Sequence, residues 1–248
     1  MPDLPLPELI SVETLIAVVT VSLAGIVRGF SGFGSAMVMV PVLAVLYEPV
    51  RAVPLALVLE MAVSLPLVPP AARLVDWRRM SVLLIAAAAT VPLGVWVLHT
   101  ADPLVMRFVL SAIVISGVVL LASGWRYRGR PGFAPTLTTG VLAGAMNGMA
   151  GMAGPPVVFF YLASSDKAAV SRASFIVFFA LLDVVVLAAF AVTDSYDRDG
   201  LVLAAVLSVP FVLAALLGAR LFSQASERFY RNVALAILSC IAIGTLLV

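Results

Sequence analysis

The chain alternates long apolar runs with short polar breaks, and the runs have the length of membrane-spanning helices. A helix rises about 1.5 Å per residue, so about 20 apolar residues cross a bilayer core of about 30 Å. Six runs meet that requirement cleanly: Val53–Pro70, Ser81–Leu98, Leu104–Ser123, Ala173–Val192, Leu201–Ala219 and Val233–Val248. Two more, Val12–Tyr47 and Thr136–Ala163, are too long for one span and are interrupted by glycine and proline. The polar residues collect in the breaks Arg73–Arg79, His99–Asp102, Arg126–Arg130, Ser164–Lys167, Asp194–Asp199 and Ser223–Arg231. No long linker or soluble domain is visible. The pattern predicts a single all-α polytopic membrane domain over residues 1–248.

The interruptions of the two long runs match. The first reads Arg28-Gly29-Phe30-Ser31-Gly32-Phe33-Gly34-Ser35, with Pro41 beyond it. The second reads Asn147-Gly148-Met149-Ala150-Gly151-Met152-Ala153-Gly154-Pro155-Pro156. A shift of 119 places Gly25 on Gly144, Gly29 on Gly148, Gly32 on Gly151 and Arg28 on Asn147. Backbone groups freed at such breaks are costly in lipid unless they line a protein cavity. Paired interruptions at corresponding places in two halves point to a transporter's substrate site. If a helix restarts after each break, its first N–H groups and positive dipole end form an anion site inside the membrane. On that reading Gly29, Gly32, Gly34, Gly148, Gly151 and Gly154 supply backbone, and Ser31 and Ser35 add hydroxyl donors. Pro155-Pro156 then occupies a first helical turn, where no N–H is needed. The competing reading is packing, since Gly25-xxx-Gly29 and Gly144-xxx-Gly148 have the spacing that lets helix backbones approach closely.

Orientation follows from Lys and Arg, which favour cytoplasmic loops. Arg73, Arg78 and Arg79 mark one cytoplasmic loop, Arg126, Arg128 and Arg130 a second, and Arg220, Arg228 and Arg231 a third. The breaks His99–Asp102 and Asp194–Asp199 read as outside. The run Thr136–Ala163 therefore enters and leaves from the inside, as a re-entrant hairpin or two short helices hinged at the glycines. By the same reasoning Val12–Tyr47 enters and leaves from the outside, beside the acidic Asp3, Glu8 and Glu13. Each half, about 10–125 and about 133–248, is then one broken hairpin plus three spans. Halves built this way are inverted repeats, with both termini on the outer side. Gly94 on Gly218 and Arg107 on Arg231, at a shift of 124, extend the correspondence.

Composition fixes the class. Of 248 residues 63% are hydrophobic and 11% charged, and the mean hydropathy is +1.17, whereas a soluble domain carries about 25% charged residues. The net charge of +2 comes from loop cations and implies no nucleic-acid partner. The lone Cys240 and lone His99 exclude a disulfide framework and most metal centres, so no cofactor is expected. The N-terminus has no basic n-region, and the first apolar segment is expected to be retained.

Four polar residues stand out at membrane depth. Arg28 precedes the first break, and an arginine there costs about 2.5 to 3.5 kcal/mol on the insertion scale unless it is partnered. Its planar fork suits a carboxylate, sulfonate or sulfite oxyanion, and an ion pair with Glu60 is the alternative. Its counterpart Asn147 is neutral. Glu60 and Asp183 lie mid-span and are candidate proton carriers, or else hydrogen-bond the freed backbone. Arg107 and Arg172, near span ends, are expected to snorkel to the interface. Gly29-Phe30-Ser31-Gly32 also matches the G-x-S-G of rhomboid-type intramembrane proteases. That chemistry needs a histidine beside the serine, and His99 is at the outer edge of its span. The glycines form no dinucleotide fingerprint, because no strand–helix unit surrounds them. Trp77, Trp125, Tyr127, Tyr196 and Tyr230 adjoin polar loops, as an interfacial belt does.

The stretch Val27 to Ser35 with Pro41, and the second stretch Gly148 to Pro156, resemble the two glycine motifs of the TauE/SafE sulfite exporter family. The resemblance covers nearly the whole chain and includes the basic loop Arg73–Arg79. It implies a bacterial inner-membrane transporter of a small anion such as sulfite, thiosulfate, a sulfonate or sulfoacetate. The second copy departs from the glycine pattern at Ala150 and Ala153. The expected function is secondary transport of such an anion, driven by protons or by the substrate gradient, with a channel-like conductor of the same fold as the alternative. Oligomeric state is left open, because lipid-facing and partner-facing helix surfaces have similar composition.

Overall fold

Both interrupted runs fold as helices that stop and restart. The structure is a computed structural model describing residues 11–122, 132–162, 168–193 and 198–222. The first run gives α1 (Val12–Ser31) and α2 (Ser35–Tyr47), and the second gives α7 (Phe133–Ala150) and α8 (Gly154–Leu162). Between them lie α3 (Pro49–Ser64), a 3-10 turn (Leu65–Leu67), α4 (Val68–Ala71), α5 (Trp77–Thr100) and α6 (Pro103–Ala122). The chain continues through α9 (Ala168–Val192) and α10 (Arg198–Phe222). No strand occurs among the described residues.

Local chemistry sets the helix limits. Ser11 caps α1, its hydroxyl accepting from the Thr14 N–H at 3.1 Å. That helix ends where Gly32 turns left-handed, φ 78°, and α7 ends in the same way at Gly151, φ 65°. Only glycine enters that region freely. Pro66, Pro69 and Pro70 remove N–H donors after Ser64, and the helix tightens there into the 3-10 turn and the short α4. Asp76 caps α5, so Arg78 and Arg79 lie in that helix's first turn and the loop before it is shorter than the polar break suggested.

The protein is a multi-pass membrane protein. Five segments are long and apolar enough to cross: Val12–Phe30, Pro49–Ala71, Trp77–Thr100, Val170–Val192 and Asp199–Arg220. Four of them coincide with expected clean spans. The fifth is a difference, because the arms of the first broken run are unequal. At 20 residues, α1 is about 30 Å long, enough to cross alone, while α2 has 13 residues. The helix α6 covers residues 104–122 of the expected span Leu104–Ser123, whose last residue lies outside the described residues. The expected span Val233–Val248, the basic residues Arg126, Arg128, Arg130, Arg228 and Arg231, and Cys240 lie outside the described residues.

Glycine decides the closest packing. The helix α1 lies along α10, and α7 lies along α5. A Cβ at Gly29 would stand 1.8 Å from the Ala215 carbonyl oxygen, and one at Gly144 would stand 1.9 Å from that of Ala87. Gly94 faces Ala145 and Gly148, while Gly218 faces Ile26. Backbones in such contact cannot yield as a flexible side chain can. Gly29→Ala and Gly144→Ala are each expected to cost about 3 kcal/mol, at the upper end of overpacking. Gly132→Ala, where a Cβ meets nothing within 4 Å, should cost less than about 0.5 kcal/mol. Thermal melting of detergent-purified protein checks this, and equal melting temperatures for the three variants would refute the packing role.

Candidate functional site

The two breaks meet at one small cavity of about 30 Å³. Gly34, Ala36 and Met37 reach it from the first break, and Gly151, Met152, Ala153 and Gly154 from the second. Arg28 on α1, Glu60 on α3, Asn147 on α7, and Phe179 and Asp183 on α9 complete its wall. The polar members are almost wholly buried: Arg28 is 4% exposed, Glu60 5%, Asp183 3% and Asn147 1%. Buried charge is tolerated when paired or hydrogen-bonded: Arg28 and Glu60 pair with each other, and Asn147 hydrogen-bonds Asp183.

Arg28 Nε lies 3.2 Å from Glu60 Oε2. Its Nη1 donates to the Gly32 carbonyl at 2.9 Å and its Nη2 to the Ser64 hydroxyl. Glu60 and Ser64 are one helical turn apart on α3, so they share a face and one guanidinium reaches both. The Ser35 hydroxyl, at the first residue of α2, donates to Glu60 Oε1. In the second half the Asn147 amide does the corresponding work. Its Nδ2 donates to Asp183 Oδ1 at 2.9 Å, and its Oδ1 accepts from the Ala153 N–H at 3.2 Å. Each break is thus held by the side chain four residues before its left-handed glycine. Arg28 donates to a freed carbonyl, whereas Asn147 accepts from an amide at the start of α8.

Of the residues expected at the site, Arg28, Gly34, Glu60, Asn147, Gly151, Gly154 and Asp183 line the cavity. Ser35 and Gly32 border it, through a hydroxyl on Glu60 and a carbonyl on Arg28. Gly29 and Gly148 are instead pressed against the backbones of α10 and α5. The side chain of Ser31 is outside the described part. Arg172 is exposed at the start of α9, its Nε 3.5 Å from where a Cβ on Gly32 would stand. Arg107 is half-buried on α6, and its Nε has no hydrogen-bond partner among the described residues. His99 is in the last turn of α5, its Nδ1 2.8 Å from the Val95 carbonyl oxygen. No group of three or more His, Cys, Asp or Glu among the described residues could hold a metal. Sequence reasoning missed Ser64, Met37 and Phe179; Ser64 and Phe179 each lie one turn from a carboxylate already singled out, which is the signal that could have found them.

Apolar helices, two of them broken beside a cavity walled by buried charged side chains, are the build of a membrane transport protein. The chain belongs to the sulfite exporter TauE/SafE family, whose sequence profile matches residues 17–245. It is 28% identical over 168 residues to the probable sulfite/organosulfonate exporter TauE of Cupriavidus necator, and the match covers 66% of each chain. No solved structure matches it. Members of the family are transporters, so the protein is not an enzyme and the protease reading of Gly29-Phe30-Ser31-Gly32 falls away.

Proposed function

We propose that the protein is a secondary transporter carrying a small sulfur-containing oxyanion, of the sulfite, thiosulfate, sulfonate or sulfoacetate type, across the bacterial inner membrane. The observation that carries this reading is the meeting of two broken helices at one cavity containing a buried arginine. A guanidinium offers a planar fork of donors matched to oxyanions, and the helix α2 begins at the cavity with its positive end. The name of the Cupriavidus necator relative points to the same substrate class. Glu60 and Asp183 supply titratable groups beside the anion, and proton coupling is part of the proposal.

We also infer that residues of about 10–125 and about 133–248 are inverted repeats, with both termini outside. The shift of 119 that aligns the glycines also aligns helix limits: Ser31 with Ala150, Ser35 with Gly154 and Pro49 with Ala168. The packing is reciprocal, since α1 pairs with α10 as α7 pairs with α5, and α3 meets α10 as α9 meets α5. Arg28 reaches Ser64, and Asn147 reaches Asp183, across the same separation of 36 residues. Within that frame Phe179 falls where Glu60 does, so the two halves of the site differ in charge.

A thermal-shift screen of purified protein tests the substrate class. Sulfite, thiosulfate and small sulfonates are expected to raise the melting temperature. At a concentration of about 100 Kd a ligand adds about 2.7 kcal/mol, a shift of several degrees. Stabilisation by two- and three-carbon carboxylates but by no sulfur anion would refute the class.

A further inference from the structure

We propose, resting on the anion site just described, that Glu60 is a tethered occupant of that site, and that an incoming anion displaces it only as its carboxyl group takes up a proton. One proton and one anion then load together. Two donors suited to an oxyanion already converge on the Glu60 carboxylate, the Arg28 Nε and the Ser35 hydroxyl, and the opening turn of α2 lines the same cavity. The protein has filled its own anion site with an acidic side chain. The guanidinium stays in place without that side chain, because the Gly32 carbonyl and the Ser64 hydroxyl hold its two other nitrogens. Withdrawal of Glu60 therefore exposes a positioned N–H edge and a hydroxyl donor to the newcomer.

Charge balance makes the proton necessary. Arg28 and Glu60 cancel, and Asp183 faces the same cavity from α9. Among the helices packed against α3, no other charged residue lines the cavity: α2 and α7 offer none, and Asn147 is neutral. Arg172 stands at the start of α9 beside Gly32. Asp199 and Arg220 lie in the end turns of α10, Arg78, Arg79 and His99 in those of α5, and Arg107 in the first turns of α6. An anion added to the cancelled pair leaves one buried negative charge uncompensated, and its desolvation opposes binding. A proton taken from water by Glu60 as its ion pair opens restores the balance, with Arg28 then facing the substrate. For a monovalent anion the loaded and empty sites carry the same charge.

Methanesulfonate is a suitable probe, because it stays ionised across the working range and contributes no proton of its own. In detergent-purified wild-type protein its binding is expected to take up close to one proton per anion. Its affinity should rise as pH falls, by about tenfold per pH unit wherever one proton is taken up per anion. Glu60→Gln should keep or tighten binding, take up no proton and lose the pH slope, and Asp183→Asn tests whether the other cavity carboxyl takes the proton instead. Wild-type binding without proton uptake overturns the proposal even if neither variant folds. A slope retained in Glu60→Gln, or lost only in Asp183→Asn, also overturns it and leaves the anion site standing. If Arg28→Gln binds methanesulfonate as wild type does, the anion-site reading itself fails, and this proposal with it.

Discussion

Proteoliposomes carrying Arg28→Gln are expected to transport no sulfite above the protein-free background. Glutamine keeps hydrogen-bonding capacity but removes the one buried cation among the cavity-lining residues, so nothing offsets the desolvation of an entering anion. The same change leaves Glu60 buried without its counter-charge, and breaking a buried pair from one side costs about 3–5 kcal/mol. Loss of transport alone would therefore not separate a binding role from unfolding. The double variant Arg28→Gln, Glu60→Gln separates them. With both charges gone, most of the lost stability should return, because neutralising both partners removes the uncompensated charge. Transport should stay absent. Arg28→Lys is expected to transport weakly, since a point charge cannot present the planar fork held by Gly32 and Ser64. A folded double variant with wild-type sulfite transport would retire Arg28 as the substrate's partner.

The breaks were legible in the sequence because their cause is local. Glycine and proline in an apolar run leave backbone that lipid does not tolerate, and α1 and α7 do end at Gly32 and Gly151. The convergence of Arg28, Glu60, Asn147 and Asp183 was half legible. Burying a charge in a membrane requires a partner, and Arg28 with Glu60 was one of two readings open. The structure holds that ion pair. What stayed hidden depends on which face of a helix a residue occupies. Gly29 and Gly34 look alike in a glycine-rich string, yet one is pressed on the backbone of α10 and the other opens onto the cavity. The small-residue spacing that signals packing is also the spacing that signals a break, so one pattern served two ends. Ser64 stayed hidden because a serine inside an apolar helix commonly bonds its own backbone, and only the three-dimensional reach of Arg28 singles it out. The length of α1 was hidden too, since an apolar run does not reveal how its break divides it.

Asn147→Leu is the second substitution with a large expected effect. It strips Asp183 of its amide donor and the Ala153 N–H of its acceptor in one step. Each buried polar group left unsatisfied costs about 1–3 kcal/mol, so a loss of about 3–4 kcal/mol is expected by thermal or denaturant unfolding in detergent. Asn147→Leu with Asp183→Leu should recover about half of it, since the carboxyl is then gone while the Ala153 N–H stays unsatisfied. The decisive measurement combines this change with Arg28→Gln. Arg28 and Asn147 come from different halves of the chain, and their hydrogen bonds hold different breaks. If the breaks were independent helix kinks, the two stability losses would add to within about 0.5 kcal/mol. Because both side chains wall one cavity, loosening either break frees the other's backbone to relax, and the double variant should lose less than the sum by more than that margin. Strict additivity would mean that the two broken helices share a neighbourhood without forming one site, and the anion would then have no single place to bind.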